Sequence, residues 1–303
     1  MSVELNLAVS GATGWLGSEL IRFVQSHKDF SRSNIFAISS RNGVLQIEKN
    51  IIKLSKFDSL STNIEIDYYF DFAFVTHEKF SLLGSKKYEE VNLKLIEDSI
   101  NFIKTYKPRA VFLASSGAIY NSRKYQYTIK DALYSDLKKL QEIKISEVCR
   151  KINSNLIISR IFNLSGSGIR KVDTFAIAEL VDKCIHNHDI FIKSNFAVVR
   201  RYSDVSQFLS LVFQLTIAEK SLIFDTGGIK IEIRELAKIV VDKLNSKSKI
   251  NADPINENLT ADNYFSRSRT YEELLKKCLS LKPSTIYDQV ESTKLALLKR
   301  RSL

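Results

Sequence analysis

Three residues have the types and spacing for moving a proton to or from a carbinol oxygen: Ser116, Tyr134 and Lys138. Tyr134 and Lys138 stand four apart in Tyr134-Ser135-Asp136-Leu137-Lys138, and residues four apart share one face of a helix. An ammonium beside a phenol favours the phenolate and lowers the tyrosine pKa. A tyrosine so placed exchanges a proton with a hydroxyl near neutral pH, where an ordinary tyrosine does not. Ser116 closes the strand-like run that starts at Ala110, and its hydroxyl can hold the same oxygen by a hydrogen bond. A Tyr and Lys four apart also occur as a plain surface pair, so their weight depends on what precedes them.

A glycine loop precedes them. The strand-like Leu5–Ser10 runs into Gly11-Ala12-Thr13-Gly14-Trp15-Leu16-Gly17, and an amphipathic helix follows. Glycines at these places permit a tight turn, close approach of the backbone to a pyrophosphate, and close helix–strand packing. The helix N-terminus then offers N–H groups and a partial positive charge to phosphates. Gly11, Thr13, Gly14, Trp15, Leu16 and Gly17 are therefore candidate dinucleotide contacts. With a dinucleotide there, the chemistry becomes hydride transfer between a carbinol carbon and a nicotinamide ring. Tyr134 handles the proton and Lys138 also bonds the nicotinamide ribose. At the end of the second strand, Ser39-Ser40-Arg41 lacks the carboxylate that usually bonds the ribose 2′-hydroxyl of NAD. Arg41 can pair with a 2′-phosphate, which makes NADP the preferred cofactor and NAD the alternative. A surface arginine in a loop is the plainer reading of the same residue.

These residues need a scaffold, and the apolar pattern supplies one. Candidate strands Leu5–Ser10, Asn34–Ser39, Tyr68–Val75, Ala110–Ala114 and Leu156–Ser159 alternate with candidate helices Leu16–Ser26, Tyr88–Tyr106 and Tyr134–Ile152. Such alternation predicts an α/β fold, a Rossmann-type doubly wound parallel sheet with helices on both faces. In the second half, helical stretches Thr174–His186, Val205–Ala218, Glu232–Leu244 and Tyr271–Cys278 alternate with short strands Asp189–Ile192 and Leu222–Asp225. The expected division is a dinucleotide domain over 1–163, with a returning portion near 203–226, and a smaller substrate-binding α/β part over 164–303.

Composition agrees with an ordinary globular protein: 303 residues, 44% hydrophobic and 26% charged. The longest apolar runs, such as Phe208 to Ile217, are broken by Ser and Gln and fall short of a membrane span. The chain enters a strand almost at once, so no signal peptide is expected and the reading is cytoplasmic. Cys149, Cys184 and Cys278 are odd in number and far apart, which predicts reduced thiols and no metal site. The net charge of +11 favours anionic partners. The lysines are scattered, the one dense basic run is Lys299–Arg301, and no RNA-reading aromatic motif is visible. No nucleic-acid or membrane partner is expected.

Taken together, these residues resemble the extended short-chain dehydrogenase/reductases of the NAD-dependent epimerase/dehydratase family, which modify nucleotide-activated sugars. Gly11–Gly17 looks like the family's T-G-x-x-G-x-x-G loop. Ser116, Tyr134 and Lys138 fall where its catalytic triad falls, and Asn92 is in register. Phe72-Ala73-Phe74 is similar to the loop that lies along the cofactor. Arg160-Ile161-Phe162-Asn163 resembles R-x-F-N, which implies that Asn163 touches the sugar nucleotide and that Ile161 and Phe162 pack by the nicotinamide. Arg200-Arg201-Tyr202 looks like R-D-[FY], so Arg200 would grip the substrate pyrophosphate, with Arg267 a second phosphate contact.

Departures are visible too. The family's Asp-Leu contact to adenine reads Lys53-Leu54, keeping Leu54 alone as a candidate. Gln207 stands where an Asp is common. Gly117-Ala118 replaces the Asp-Glu pair of the 4,6-dehydratases, which argues against elimination of water. The resemblance implies an NADPH-dependent reduction of a keto-sugar nucleotide, with a 4-epimerase using bound NAD as the alternative and a non-catalytic dinucleotide sensor as another. It also implies a homodimer, in which the helices at Tyr88–Tyr106 and Tyr134–Ile152 form a four-helix bundle with their symmetry mates.

Overall fold

The computed structural model describes residues 4–120 and 128–301. In chain order the elements are β1 (Asn6–Ser10), α1 (Trp15–Ser26), β2 (Asn34–Ile38), β3 (Gly43–Ile47), β4 (Asn50–Ser55), β5 (Tyr68–Asp71), α2 (Phe80–Leu83), α3 (Ser85–Tyr106), β6 (Ala110–Ser116), α4 (Ile129–Ile152) and β7 (Asn155–Ile161). They continue as β8 (Asn163–Ser165), α5 (Ala176–Ile185), β9 (Ile190–Ile192), β10 (Val198–Asp204), α6 (Val205–Ile217), β11 (Leu222–Asp225) and β12 (Ile229–Glu232). The last are α7 (Ile233–Leu244), β13 (Ile250–Ala252), β14 (Asp262–Tyr264), α8 (Thr270–Leu279) and α9 (Ile286–Arg301). The chain divides into two compact units, one of Met1–Ile161 with Val212–Phe224, the other of Phe162–Leu211 with Asp225–Leu303.

The first unit is built on an eight-stranded sheet of order β11-β7-β6-β5-β1-β2-β4-β3. The neighbours from β7 through β1 to β4 are all parallel. Successive strand residues face opposite sides, and both sides are covered by helices. Tyr69 lies against Phe102 of α3, with ring centroids 4.7 Å apart. Its neighbour Phe70 turns the other way and stacks on Phe213 of α6 at 6.0 Å. Phe23 of α1 meets the same Phe213 at 5.5 Å. The core on the α3 and α4 side gathers Ile103, Val111, Leu113, Ile145, Val148 and Ile158 around Tyr69.

The β3–β4 hairpin was not expected from the sequence. β4 pairs parallel with β2 and antiparallel with β3, and Glu48 makes its turn at φ 52°. Only alternate residues of β4 face inward: Ile52 and Leu54 are buried while Ile51 and Lys53 are exposed. Such a half-exposed strand lacks the continuous apolar run that marks the others.

In the second unit, β10 is the hub of a small mixed sheet. It pairs antiparallel with β12 and parallel with β14 and β8. β9 and β13 form a separate parallel pair. Helices α5, α7 and α9 pack on one another.

One contact sets how closely α1 approaches β1. A Cβ at Gly17 would lie 2.4 Å from the carbonyl oxygen of Gly11, which no side chain tolerates without a shift. Gly17→Ala should therefore destabilise the first unit by about 1–3 kcal/mol, read as a lowered urea midpoint. An unchanged midpoint would mean that α1 slides outward at no cost.

Candidate active site

In a parallel sheet the carboxyl ends of the strands share one edge, and β1, β5 and β6 end there in polar residues. Ser10 of β1 stands opposite Asp71 of β5, and Ser116 of β6 stands opposite Ile161 of β7. The glycine loop leaves from Ser10. Gly11 sits at φ +63°, and a Cβ on it would lie 2.8 Å from the carbonyl carbon and oxygen of Phe72. Gly14 caps α1, with no side chain bonded to the cap and no acidic residue in the first turn. The loop thus offers a backbone cradle in which a Cβ would intrude, beside a helix start without local negative charge. A dinucleotide pyrophosphate fits both features.

The segment after β5 is fixed on two sides. The Ala73 N–H donates to Ser10 Oγ at 3.2 Å and to Asp71 Oδ1 at 3.1 Å. Asn92 of α3 accepts from the Val75 N–H at 2.8 Å and donates back to the Val75 carbonyl at 3.2 Å. Asn92 lies two turns inside α3, not at its start. Tyr134 and Lys138 likewise lie inside α4, which begins at Ile129 after a Thr128–Asp131 capping box.

Phe74 touches both candidate catalytic groups. Its ring meets Tyr134 edge-on at 5.7 Å, and the Lys138 Nζ lies 3.8 Å from its centroid. Lys138 is buried and donates to the Ala114 carbonyl at 2.8 Å and to Gln141 Oε1 at 2.9 Å. Burial lowers its pKa to about 7, while the charges of Asp71 and Glu142 pull it back up. Tyr134 corrects the sequence expectation. Burial raises its pKa above the ordinary phenol value, with Ser116 pulling it down by less. The expected lowering rested on the ammonium beside the phenol, and the ammonium instead bonds the Ala114 carbonyl and Gln141. The negative charge of Glu78 adds to the upward shift.

Some residues brought to this site escaped sequence reasoning. His77 approaches Tyr134 with ring centroids 5.5 Å apart. Asp71 and Gln141 lie under Lys138. Glu142 receives both the Nε and Nη2 of Arg160 and the hydroxyl of Ser115. A polar residue at the end of an otherwise apolar strand was the signal available for Asp71. Gln141 and Glu142 read as ordinary surface positions on a helix.

The remaining candidates are placed as follows. Arg41 is exposed, in a loop tied down by Ser39, whose hydroxyl donates to the Arg41 carbonyl at 2.6 Å. Leu54 is buried in β4, where its backbone pairs with Ala37. In the second unit, Phe162, Asn163 and Arg200 converge on Tyr264. The Phe162 and Tyr264 rings are 5.0 Å apart, Asn163 Nδ2 donates to the Tyr264 carbonyl at 3.3 Å, and the Arg200 guanidinium lies 6.0 Å from the ring. Arg200 is paired with Asp262 at 2.7 Å. Arg267 is exposed, on a loop that Arg201 grips through the carbonyls of Ser266 and Ser268. Gln207 is occupied with the backbone of Lys282 and Ser284. Among the described residues no group of side chains is arranged to hold a metal ion, and no helix is long and apolar enough to cross a membrane.

The sequence model of the NAD dependent epimerase/dehydratase family matches residues 7–219. The chain belongs to that family. Solved structures agree in fold. A UDP-N-acetylglucosamine 4-epimerase from Methanobrevibacter ruminantium superposes with a TM-score of 0.76 at 16% identity, over 99% of this chain and 100% of that one. UDP-glucose 4-epimerase from Thermotoga maritima gives 0.71 at 15% identity, covering 98% and 100%. RMD from Pseudomonas aeruginosa, solved with NADPH, gives 0.71 at 19% identity, covering 98% and 99%. No curated protein matches the chain.

The buried lysine makes a prediction about stability. Its folded-state pKa of about 7 lies below the ordinary 10.5, so between these values the unfolded chain binds more protons than the folded one. Stability contributed by this group therefore rises as pH climbs from about 7 towards 10.5. Urea unfolding of wild type and Lys138→Met at pH 7, 8 and 9 should show a wild-type rise that the variant lacks. Parallel pH dependences would show that Lys138 keeps an ordinary pKa.

Proposed function

We propose that this protein is an NADPH-dependent reductase of a keto-sugar nucleotide, with Tyr134 as the proton donor. The observation that carries this reading is a half-buried Tyr134 phenol, its pKa raised by burial, on α4 beside Phe74 and His77 in the unit whose sheet edge also presents Ser116 and the glycine cradle. When bound, the dinucleotide supplies or accepts a hydride. The protein's own residues do the rest. Gly11, Thr13, Gly14, Trp15, Leu16 and Gly17 hold the pyrophosphate, and Arg41 takes a 2′-phosphate. Phe72, Ala73 and Phe74 run along the dinucleotide, Ile161 and Phe162 are its nicotinamide contacts, and Leu54 meets the adenine. Lys138 has a third ammonium hydrogen beyond its two bonds, and it serves a ribose hydroxyl.

In this reading Ser116 positions the substrate oxygen and Tyr134 gives it a proton as the carbonyl is reduced. A phenol whose pKa is raised keeps its proton at neutral pH, which suits donation. Asn163, Arg200 and Arg267 hold the sugar nucleotide, the two arginines matching its phosphates. Gly117-Ala118 offers no acid and base pair for losing water, so a dehydratase is not proposed. The second reading is a nucleotide-sugar 4-epimerase with retained NAD, favoured by the fold-level neighbours that carry that name. For assembly we propose a homodimer through α3 and α4, which pack together and leave Leu93 and Ile143 exposed.

Calorimetric titration with NADPH and with NADH separates the readings. A preference for NADPH that Arg41→Ala abolishes supports the reductase; equal affinity or an NADH preference shifts the assignment to the epimerase. UDP-glucose and UDP-N-acetylglucosamine, followed by proton NMR for a 4-epimer, test the second reading directly. In whichever assay is active, Tyr134→Phe should lower kcat by about 100-fold or more while dinucleotide affinity holds. An active Tyr134→Phe protein would overturn both readings.

A further inference from the structure

Lys138 occupies a place that an ammonium does not enter without compensation. It is buried, one of its neighbours is the face of Phe74, and its two bonds run to the Ala114 carbonyl and the Gln141 side chain. Removing an isolated charge from water costs several kcal/mol, so buried lysines either lose their proton or sit near a counter-charge. The ionisable groups acting on it come from two elements: Asp71 at the end of β5, and Glu142 on α4 itself. Tyr134, also on α4, shares Phe74 with it as a neighbour.

The two acids are not equivalent. Glu142 already has a cationic partner, since both its oxygens accept from Arg160 at 3.1 and 2.9 Å. Asp71 has no such partner among the described residues. Its Oδ1 accepts from Ser10 Oγ at 2.6 Å and from the Ala73 N–H at 3.1 Å. Its Oδ2 faces Gln141 Nε2 at 3.5 Å, and Gln141 turns its own oxygen to Lys138 at 2.9 Å. Tyr69 on the same strand and Ser99 of α3 complete its polar surroundings. The Gln141 amide is thus oriented on one side by a cation and on the other by an anion, the only orientation that satisfies both ends.

We propose that Asp71 is the counter-ion and positioning residue of Lys138, holding the ammonium on the sheet side of α4 through the Gln141 amide and through charge attraction. This deepens the proposed function and rests on it for the role of Lys138 in the reaction. The same carboxylate fixes Ala73 and, through Ser10, the start of the glycine loop. Asp71 therefore ties the lysine to the segment that leads into the dinucleotide cradle. Burial raises the pKa of Asp71 itself and the neighbouring ammonium lowers it, so the two charges support one another.

The test is a titration of Lys138 in protein without substrate or dinucleotide. Lysine labelled with 13C at the ε carbon is followed by NMR, and Lys138→Met assigns the resonance. In Asp71→Asn the midpoint for Lys138 should fall by about one to three pH units, the usual effect of one close opposite charge. Ser10→Ala, which removes one bond to the Asp71 carboxylate and leaves the fold's core intact, should shift it the same way by less. A folded Asp71→Asn protein with an unmoved midpoint overturns the proposal; if that variant does not fold, an unmoved midpoint in Ser10→Ala does so. In the active assay, Asp71→Asn should lower kcat and move the pH profile while the substrate KM holds, a split that general loosening would not produce. Because the titration needs no turnover, its failure is distinct from failure of the proposed reaction, which Tyr134→Phe tests.

Discussion

Parallel register decides what can meet what in this protein. Asp71 is the last residue of β5 and stands opposite Leu113, while β6 continues three residues further to Ser116. At the usual rise per residue those three residues carry Ser116 about 10 Å beyond the row of Asp71. The polar groups along this sheet edge therefore lie in two tiers. The inner tier is buried and holds Ser10, Asp71, Gln141 and the Ala114 carbonyl. The outer tier holds Ser116 and Tyr134. Lys138 grows from the same helix as Tyr134 yet belongs to the inner tier. A helix face places two side chains on one side but does not decide how deep each reaches, and the longer lysine finds its acceptors below.

That difference in depth explains the electrostatics. Burial disfavours whichever form is charged, so it drives the lysine down and the phenol up, opposite directions towards the same neutral outcome. The two groups would correct one another if they touched. Phe74 packs against both, its ring 3.8 Å from the ammonium and at a steep angle to the phenol ring. A cation over an aromatic face is stabilised by the ring quadrupole, but the ring is no conduit for its charge to the phenol. The lysine's charge is balanced instead through Asp71 and Glu142, and the phenol's proton is governed by Ser116 and by burial.

Much of the first unit was legible in the sequence because its signals are local. An apolar run ending in a glycine loop and followed by an amphipathic helix has few other structural meanings, and the strands that failed to appear, β3 and β4, are those with one solvated face. Helix starts were legible where the right signal was read. α4 begins at Ile129, five residues before the expected start at Tyr134, and α9 was not anticipated at all; both are capped by a Thr with an Asp three residues later. What the sequence could not disclose was depth and partnership. Nothing local shows that Gln141 lies under the sheet edge, that Phe74 packs on both Tyr134 and Lys138, or that Tyr264 gathers Phe162, Asn163 and Arg200.

The neighbouring arginines of β10 show how far such partnership reaches. Adjacent strand residues point to opposite sides, so Arg200 and Arg201 cannot share a task. Arg201 is spent on structure: its donors reach the Gly228, Ser266 and Ser268 carbonyls and the Glu272 carboxylate. Glu272 in turn accepts the Gly228 N–H, so this pair ties β10, β12 and α8 together. An arginine with this many fixed acceptors cannot turn to a ligand without undoing the loop that carries Arg267. Arg200 is differently held, by Asp262 and two backbone carbonyls, in a position still partly open to solvent. A partly solvated ion pair contributes little net stability, so exchanging one carboxylate for another anion costs little. Of the two residues, only Arg200 has its guanidinium held by a partly solvated carboxylate, that of Asp262.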